Sequence, residues 1–269
     1  LQGGGLHQFE ADLDLGGSMS VDRFYTSLGA GRQLSERLRM GFEFGYGEDR
    51  YDFSGTSGFG ALAPWQRIRE VRVSLPIRYF ASREWTLFAI PSLRYQAERG
   101  ASLSDGETGG MLAGAIYRFS DTFSIGPGLG VFSEIEDDTS VFPILLIDWN
   151  FGERWNLSTG RGLAASQGPG LTLSYQLAPS WQLAFTGRYE EVNFRLDDRG
   201  PAPGGVGTDE SIPLVLGASW EPNESFGLAV FAGVELGGEL ELKDVAGQVL
   251  SSREYDSAPI FGATFEFKF

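Results

Sequence analysis

The sequence predicts an all-β protein, namely a transmembrane, antiparallel, up-and-down β-barrel of about fourteen strands. Three observations support this prediction. Apolar and polar residues alternate with a period of two along most of the 269 residues, which is typical of strands between two unlike environments. The connecting segments alternate between short and long, as they do in barrels that cross a membrane. No apolar run reaches the roughly 18 residues that a transmembrane helix needs.

The alternation is clearest in two segments, 71–79 and 181–189. In the first, every odd position is apolar or aromatic, whereas the even positions carry Arg72, Ser74, Pro76 and Arg78. The same reading along the chain gives fourteen strands, an even number as in bacterial single-chain barrels. They are expected near 6–15, 20–33, 38–53, 67–80, 85–98, 109–119, 123–133, 139–150, 155–162, 169–177, 181–195, 211–221, 226–242 and 257–269. Because the first loop, around residues 16–18, is short, twelve strands is the alternative count.

Short turns are expected at one end of the barrel and long loops at the other. The short turns lie at 35–37, 82–84, 120–122, 152–154, 178–180 and 222–225, and the longer loops at about 54–66, 99–108, 134–139, 162–168, 196–210 and 243–255. In outer-membrane barrels the short turns are periplasmic. Tryptophan favours the membrane–water interface, so the tryptophans beside the short turns predict an aromatic girdle: Trp85, Trp149, Trp155, Trp181 and Trp220.

The bulk composition excludes several classes of function. The chain has no Cys, one His and a formal net charge of −15, so disulfides are excluded and nucleic acid is not an expected partner. His7 lies at the start of the first strand, with a parity that points it toward lipid or the rim. His7 is therefore not placed to act as a general base for a nucleophile. We expect the protein not to be an enzyme and to need no cofactor.

The last segment, Ala263–Phe269, places Phe265, Phe267 and Phe269 in alternation with Glu266 and Lys268. Here the chain resembles the Gram-negative outer-membrane protein superfamily, whose last strand commonly ends in a Phe that the barrel-assembly machinery recognises. The resemblance covers the whole chain in pattern, but only this end in motif. It implies a single domain, 1–269, in the outer membrane, surrounded by lipid and lipopolysaccharide, with Phe269 as the assembly signal. Since the chain begins without a leader pattern, we expect any signal peptide to have been removed.

The parity of the strands also predicts which charges line the lumen. Basic side chains gather on strands three to six: Arg39, Arg72, Arg78, Arg94 and Arg118. Acidic side chains gather where the barrel closes: Glu10, Asp12, Asp14, Glu235, Glu239, Glu241 and Glu266. Opposed charged walls select permeants by charge. The alternative is that these charges pair across a narrow lumen and fill it.

Other segments suggest further interpretations. An apolar inner wall is expected on strands five to eight, with glycines making room for its bulky side chains: Phe88, Ile90, Leu112, Ile116, Phe132, Phe142, Ile144 and Leu146. The carboxylates of Glu134, Glu136, Asp137 and Asp138 match no calcium-loop spacing, so a solvated loop tip is favoured over a metal site. Loop 58–65 is apolar, and either folds inward or contacts a neighbouring protein.

The function that the sequence favours is a porin-like passive channel for small polar or charged solutes. One alternative is a closed structural barrel that binds a partner protein or a neighbouring barrel through its extracellular loops. The other is a transporter of hydrophobic solutes, for which the apolar inner wall is the argument.

Overall fold

The computed structural model describes residues 1–159 and 170–269 and contains one closed, antiparallel β-sheet. Its β-segments are β1 (Gln2–Asp12), β2 (Ser18–Gln33), β3 (Leu38–Ser54), β4 (Arg67–Ser74), β5 (Ile77–Phe80), β6 (Trp85–Glu98), β7 (Glu107–Ser120), β8 (Phe123–Glu134), β9 (Asp137–Phe151), β10 (Trp155–Thr159), β11 (Gly170–Ala178), β12 (Trp181–Arg188), β13 (Glu190–Arg195), β14 (Val206–Asn223), β15 (Phe226–Lys243), β16 (Val249–Tyr255) and β17 (Ala258–Phe267).

Three pairs of segments each form one bent strand, because both members pair with the same neighbour. These are β4 and β5 with β3, β12 and β13 with β14, and β16 and β17 with β15. The sheet closes between β1 and β17. The described residues therefore form a closed barrel of fourteen strands, and the predicted fold class is confirmed.

The connections differ in length between the two ends of the barrel. Six turns of two to four residues lie at one end, which we call periplasmic. The other end carries helix α1 (Gly58–Leu62) and a 3₁₀ helix (Leu103–Gly106). The connection between β8 and β9 is shorter than expected, because β9 already begins at Asp137. The expected loop 162–168, with the adjoining ends of the ninth and tenth strands, lies outside the described residues.

Neither helix, nor any other in the described ranges, is long and apolar enough to cross a membrane.

The outer wall of the barrel is apolar. Large apolar side chains are exposed there at alternate strand positions, among them Phe24, Phe44, Leu93, Leu145, Leu216 and Phe261. An apolar band of this kind is stable against acyl chains, whereas in water it would be a large hydrophobic surface. The expected arrangement, with the apolar face outside a closed cylinder, is confirmed.

Aromatic rings surround the periplasmic end of the outer wall. Trp85, Trp149, Trp155, Trp181 and Trp220 are all exposed to a similar degree beside the short turns. Neighbouring rings touch along a run with centroid separations of 4.6 to 6.3 Å, through Trp85, Tyr117, Phe119, Phe123, Trp149, Phe151, Trp155 and Tyr175. Rings with a polar edge at one height are suited to the interface between acyl chains and water.

Two β-bulges change which residues face the lumen. The register of β1 against β2 shifts between Gln8 and Ala11, and an extra residue in one strand exchanges the two faces beyond it. Ala11 is therefore buried inside the barrel. The prediction that Glu10, Asp12 and Asp14 line the lumen is wrong, because beyond the bulge these three side chains lie exposed on the outer face.

The second bulge lies between β14 and β15, where Glu210 pairs with Glu239 but Ile212 pairs with Leu236. Beyond it Leu240 points inward and is buried. Glu239 and Glu241 consequently lie on the outer face, and their predicted lumen position is also wrong. There Glu239 accepts a hydrogen bond from Ser252.

A buried hydrophobic cluster fills one side of the barrel at its extracellular end. We call it the lumen cluster; its largest members are Met19, Tyr51, Phe59, Trp65, Ile68, Phe194, Leu240 and Tyr255. The apolar loop around α1 contributes Phe59 and Trp65, so it folds inward. The cluster joins the strands around the closure to the segment β13, since Met19 and Tyr51 lie on β2 and β3, Leu240 lies on β15, and Phe194 lies on β13.

Segment β13 reaches across the lumen. It pairs with β14 on one side, and Arg195 forms a bridge to Ala97 of β6 on the other, although β6 and β14 are not neighbours in the wall. Arg195 also donates to Glu136 at 2.6 Å and to the carbonyl of Asp105 at 2.9 Å. The crossing segment therefore divides the extracellular half of the lumen into the cluster side and a second side next to β6–β9.

Candidate functional site

The inner wall carries basic side chains in cross-strand pairs. Arg39 lies directly opposite Arg78 near the periplasmic mouth, and Arg72 lies opposite Arg94 at mid-height. Arg118 is exposed on the same inner face, close to the mouth. Like charges in direct opposition are unfavourable unless counter-charges or water surround them. Glu70 supplies one such charge, since its carboxylate lies 3.8 Å from Arg72.

The acidic side of the lumen is organised around Arg23, which the sequence analysis did not select. Arg23 contacts Asp209 at 2.9 Å and Glu235 at 3.2 Å. Tyr51 donates its hydroxyl to Asp209 at 2.7 Å, and Tyr255 donates to both carboxylates at 3.1 Å. These five residues form a largely buried polar layer directly against the lumen cluster, and they close this side of the barrel.

Parity alone did not select Arg23, because it shares the inner face of β2 with the apolar Val21 and with Tyr25. Asp209 could not be found in this way, since β14 was expected to begin only at residue 211. Of the predicted acidic residues, Glu235 is buried in this layer. Glu266 lies on the inner face at the periplasmic end, where it lines an open vestibule.

The wall of β6–β9 is apolar and is shaped by glycines on the neighbouring strand. Phe132 lies over Gly110 and Phe142 lies over Gly130, so closely that a methyl group on either glycine would overlap the ring. Ile144 covers Gly128 in the same way. The bulky side chains therefore lie flat along the wall and leave the lumen beside them open.

A cavity of about 300 Å³ lies between this wall and β13. Phe132 and Phe142 stack along one side, with ring centroids 6.0 Å apart and planes 9° apart. The rest of the lining is polar and includes Arg94, Gln96, Thr108, Glu134, Tyr189 and Glu191. The cavity is thus apolar on one wall and polar on the other.

A second cavity, of about 430 Å³, forms a vestibule at the periplasmic end. Its inner lining is almost wholly polar, with side chains such as Asn150, Asn156, Thr172, Ser174, Gln182 and Ser219. Hydroxyl and amide groups can exchange hydrogen bonds with water or with a passing solute at little cost. The vestibule is therefore a hydrated compartment below the apolar wall.

Replacing Gly130 by valine is expected to reduce the free space of the 300 Å³ cavity. The new side chain would displace the Phe142 ring into the cavity, because the ring now occupies the position of the added carbons. Solute binding there should weaken at least about fivefold, since overpacking typically costs 1–3 kcal/mol. Binding is measured by calorimetry on the detergent-solubilised barrel.

Gly29→Val is the matched control, because an added Cβ at this position on β2 meets no atom closer than 3.6 Å. Equal binding by the two variants would contradict the role assigned to Gly130.

The remaining predicted residues lie away from these cavities. His7 is exposed on the outer face, with its Nδ1 atom 2.7 Å from the Asp22 carboxylate. Within residues 1–159 and 170–269, no group of three or more His, Asp or Glu side chains is arranged to hold a metal ion. Phe269 follows the end of β17 and is fully exposed, and its role as an assembly signal stays a prediction.

Solved structures of other proteins share this fold. An outer membrane channel from Pseudomonas putida F1 has a TM-score of 0.52 at 12% identity, with 98% of this chain and 94% of that chain covered. A Pseudomonas aeruginosa FadL homologue has a TM-score of 0.51 at 10% identity, with 100% and 89% covered. The sequence matches no protein-family model and no curated protein. The fold and the apolar outer wall together make this chain an integral β-barrel of the outer membrane.

Proposed function

We propose that the protein is an outer-membrane channel for small solutes that combine an apolar body with a polar end. The observation that carries this proposal is the cavity between the stacked Phe132 and Phe142 rings and the polar side of β13. Ligand sites generally combine apolar walls with a few polar groups that orient the ligand. A cavity of about 300 Å³ is at the small end of such sites.

A wide, water-filled porin is less consistent with the packing. The lumen cluster and the Arg23 layer occupy one side of the extracellular half, and β13 narrows the other side to the cavity beside the β6–β9 wall. Permeation by a polar solute of arbitrary shape would need this packing to open. A solute with an apolar body can instead replace water against the β6–β9 wall, and burial of its surface is favourable.

The proposed path runs from the cavity beside β13, along the β6–β9 wall, to the polar vestibule. The wall offers Phe88, Ile116, Ile144 and Leu146 on the inner face between the two compartments. An apolar body would move along these side chains while its polar end faced water in the lumen. Weak, repeated contacts of this kind favour passage over trapping.

Proteoliposome swelling tests the proposal with solutes that do not cross lipid unaided. L-Phenylalanine is expected to enter faster than L-glutamine and faster than arabinose, although arabinose is not larger than phenylalanine. Phe132→Ser combined with Phe142→Ser should remove this preference. Trp155→Ser, a change on the outer wall, is the control.

Entry rates that follow solute size alone, together with a large ionic current, would refute the proposal in favour of an open porin. No entry of any solute would favour the second candidate, a closed barrel that binds a partner through its loops. The contact of Arg195 with Glu136 across the extracellular mouth is the observation that favours this second candidate.

A further inference from the structure

Arg94 has an unusual environment in the cavity beside β13. It makes no hydrogen bond or ion pair with any residue that the structure describes, and its Nε atom is buried without a partner. The carboxylate of Glu70 interacts with Arg94 electrostatically, and it accepts a hydrogen bond from Gln96 at 3.1 Å. A buried charged donor without an acceptor is costly, so an acceptor supplied by a ligand would be strongly favoured.

The acidic side chains of the cavity, in contrast, are already engaged. Glu191 accepts hydrogen bonds from Tyr189 at 3.1 Å and from Asn193 at 2.8 Å. Glu134, at the extracellular end of β8, accepts a hydrogen bond from the side chain of Ser140. Both carboxylates therefore already have donors in the protein, whereas the buried Nε atom of Arg94 has none.

The apolar side of the site lies on the same wall as Arg94. Thr108, directly opposite Arg94, lies on β7, and Phe132 lies opposite Gly110 of the same strand. The cavity therefore combines one guanidinium with two stacked aromatic faces. A planar guanidinium matches the two oxygens of a carboxylate, and the rings match an aromatic or branched apolar body.

We infer that this cavity binds small amphipathic carboxylates, with the carboxylate on Arg94 and the apolar body against Phe132 and Phe142. The inference rests on the proposed function, because it concerns the same cavity, and it adds the chemical class of the solute. A cavity of about 300 Å³ accommodates a molecule of about the size of 3-phenylpropionate.

Calorimetry on the intact, detergent-solubilised barrel tests the inference without a membrane. 3-Phenylpropionate is expected to bind at least tenfold more tightly than the neutral 3-phenylpropan-1-ol. Arg94→Gln should remove this preference, and Arg94→Lys should restore part of it. Arg50→Gln is the charge-matched control, because Arg50 lies on the outer face and contacts Glu48.

Equal binding of the acid and the alcohol to the unmodified protein would overturn the inference. Tighter binding of 2-phenylethylammonium than of the acid would also overturn it, since Glu134 and Glu191 would then determine the charge preference. Phenylalanine entry into proteoliposomes without carboxylate binding would overturn this inference and leave the channel proposal intact. Carboxylate binding without entry of any solute would support the site and refute the channel.

Discussion

Replacing Arg23 by alanine is expected to cost the barrel about 3–5 kcal/mol of its free energy of unfolding. The side chains of Asp209 and Glu235 are 1% and 0% exposed, and that of Arg23 is 17% exposed. Without the guanidinium, two carboxylates would remain in a buried layer with only the hydroxyls of Tyr51 and Tyr255 as donors. Urea unfolding in lipid vesicles, followed by tryptophan fluorescence, measures the loss.

The control for this prediction is Arg50→Ala. Arg50 also contacts a carboxylate, at 2.7 Å, but its side chain is 60% exposed. Exposed ion pairs contribute about 0.2–1 kcal/mol, so this variant should unfold almost as the unmodified protein does. Similar losses in both variants would mean that Arg23 does not balance a buried charge. Adding Asp209→Asn and Glu235→Gln to Arg23→Ala should recover part of the loss, because no unpaired charge remains.

Replacing Trp65 by alanine is the second change with a large expected effect. Trp65 is 1% exposed and lies at the centre of the lumen cluster, with ring centroids 5.2 Å from Phe194 and 6.0 Å from Phe59. Removing a buried indole typically costs about 3–5 kcal/mol, because the surrounding side chains only partly fill the cavity. Since this cluster fills one side of the lumen, the current through single barrels in planar bilayers should also rise.

Trp155→Ala separates the two consequences of the Trp65 substitution. It removes an equally large side chain, but from the outer wall, so the current should not change. If Trp65→Ala lowered stability and left the current as it was, the cluster would be a structural core that does not obstruct permeation.

The sequence allowed the outer wall to be predicted and, below the bulges, the inner wall. Val71, Val73 and Leu75 alternate with Arg72 and Ser74 because each face of β4 meets one environment. In such stretches, as around Arg94 or Glu235, a face can be assigned by counting alternate residues. The aromatic positions near the short turns were predictable for the same reason.

The wrong predictions of lumen-facing residues lie beyond the β-bulges, where the alternation of inward and outward side chains shifts by one residue. Nothing in the local sequence around Gln8 distinguishes a bulge from a regular strand, because Phe9, Ala11 and Leu13 continue to alternate with Glu10 and Asp12 across the shift in pairing. The crossing of β13 also could not be predicted, since its bridge to Ala97 joins residues almost a hundred positions apart. The cavity depends on that crossing. The apolar residues of its β6–β9 wall could be predicted from the sequence, but the enclosure of the cavity by β13 could not.

In strand β3 the apolar positions change from Phe42 and Phe44, which face outward, to Tyr51 and Phe53, which face inward. The outer face of this single strand thus lies against hydrocarbon at one end and against water at the other. Charged substitutions on that face are unfavourable at the first end and tolerated at the second. The charged group of a lysine at position 44 would lie among acyl chains, whereas that of a lysine at position 52 would be hydrated. Tolerance of charge along this barrel should therefore follow height above the bilayer as much as parity, and engineered labels or epitopes belong on the outer face of the projecting rim.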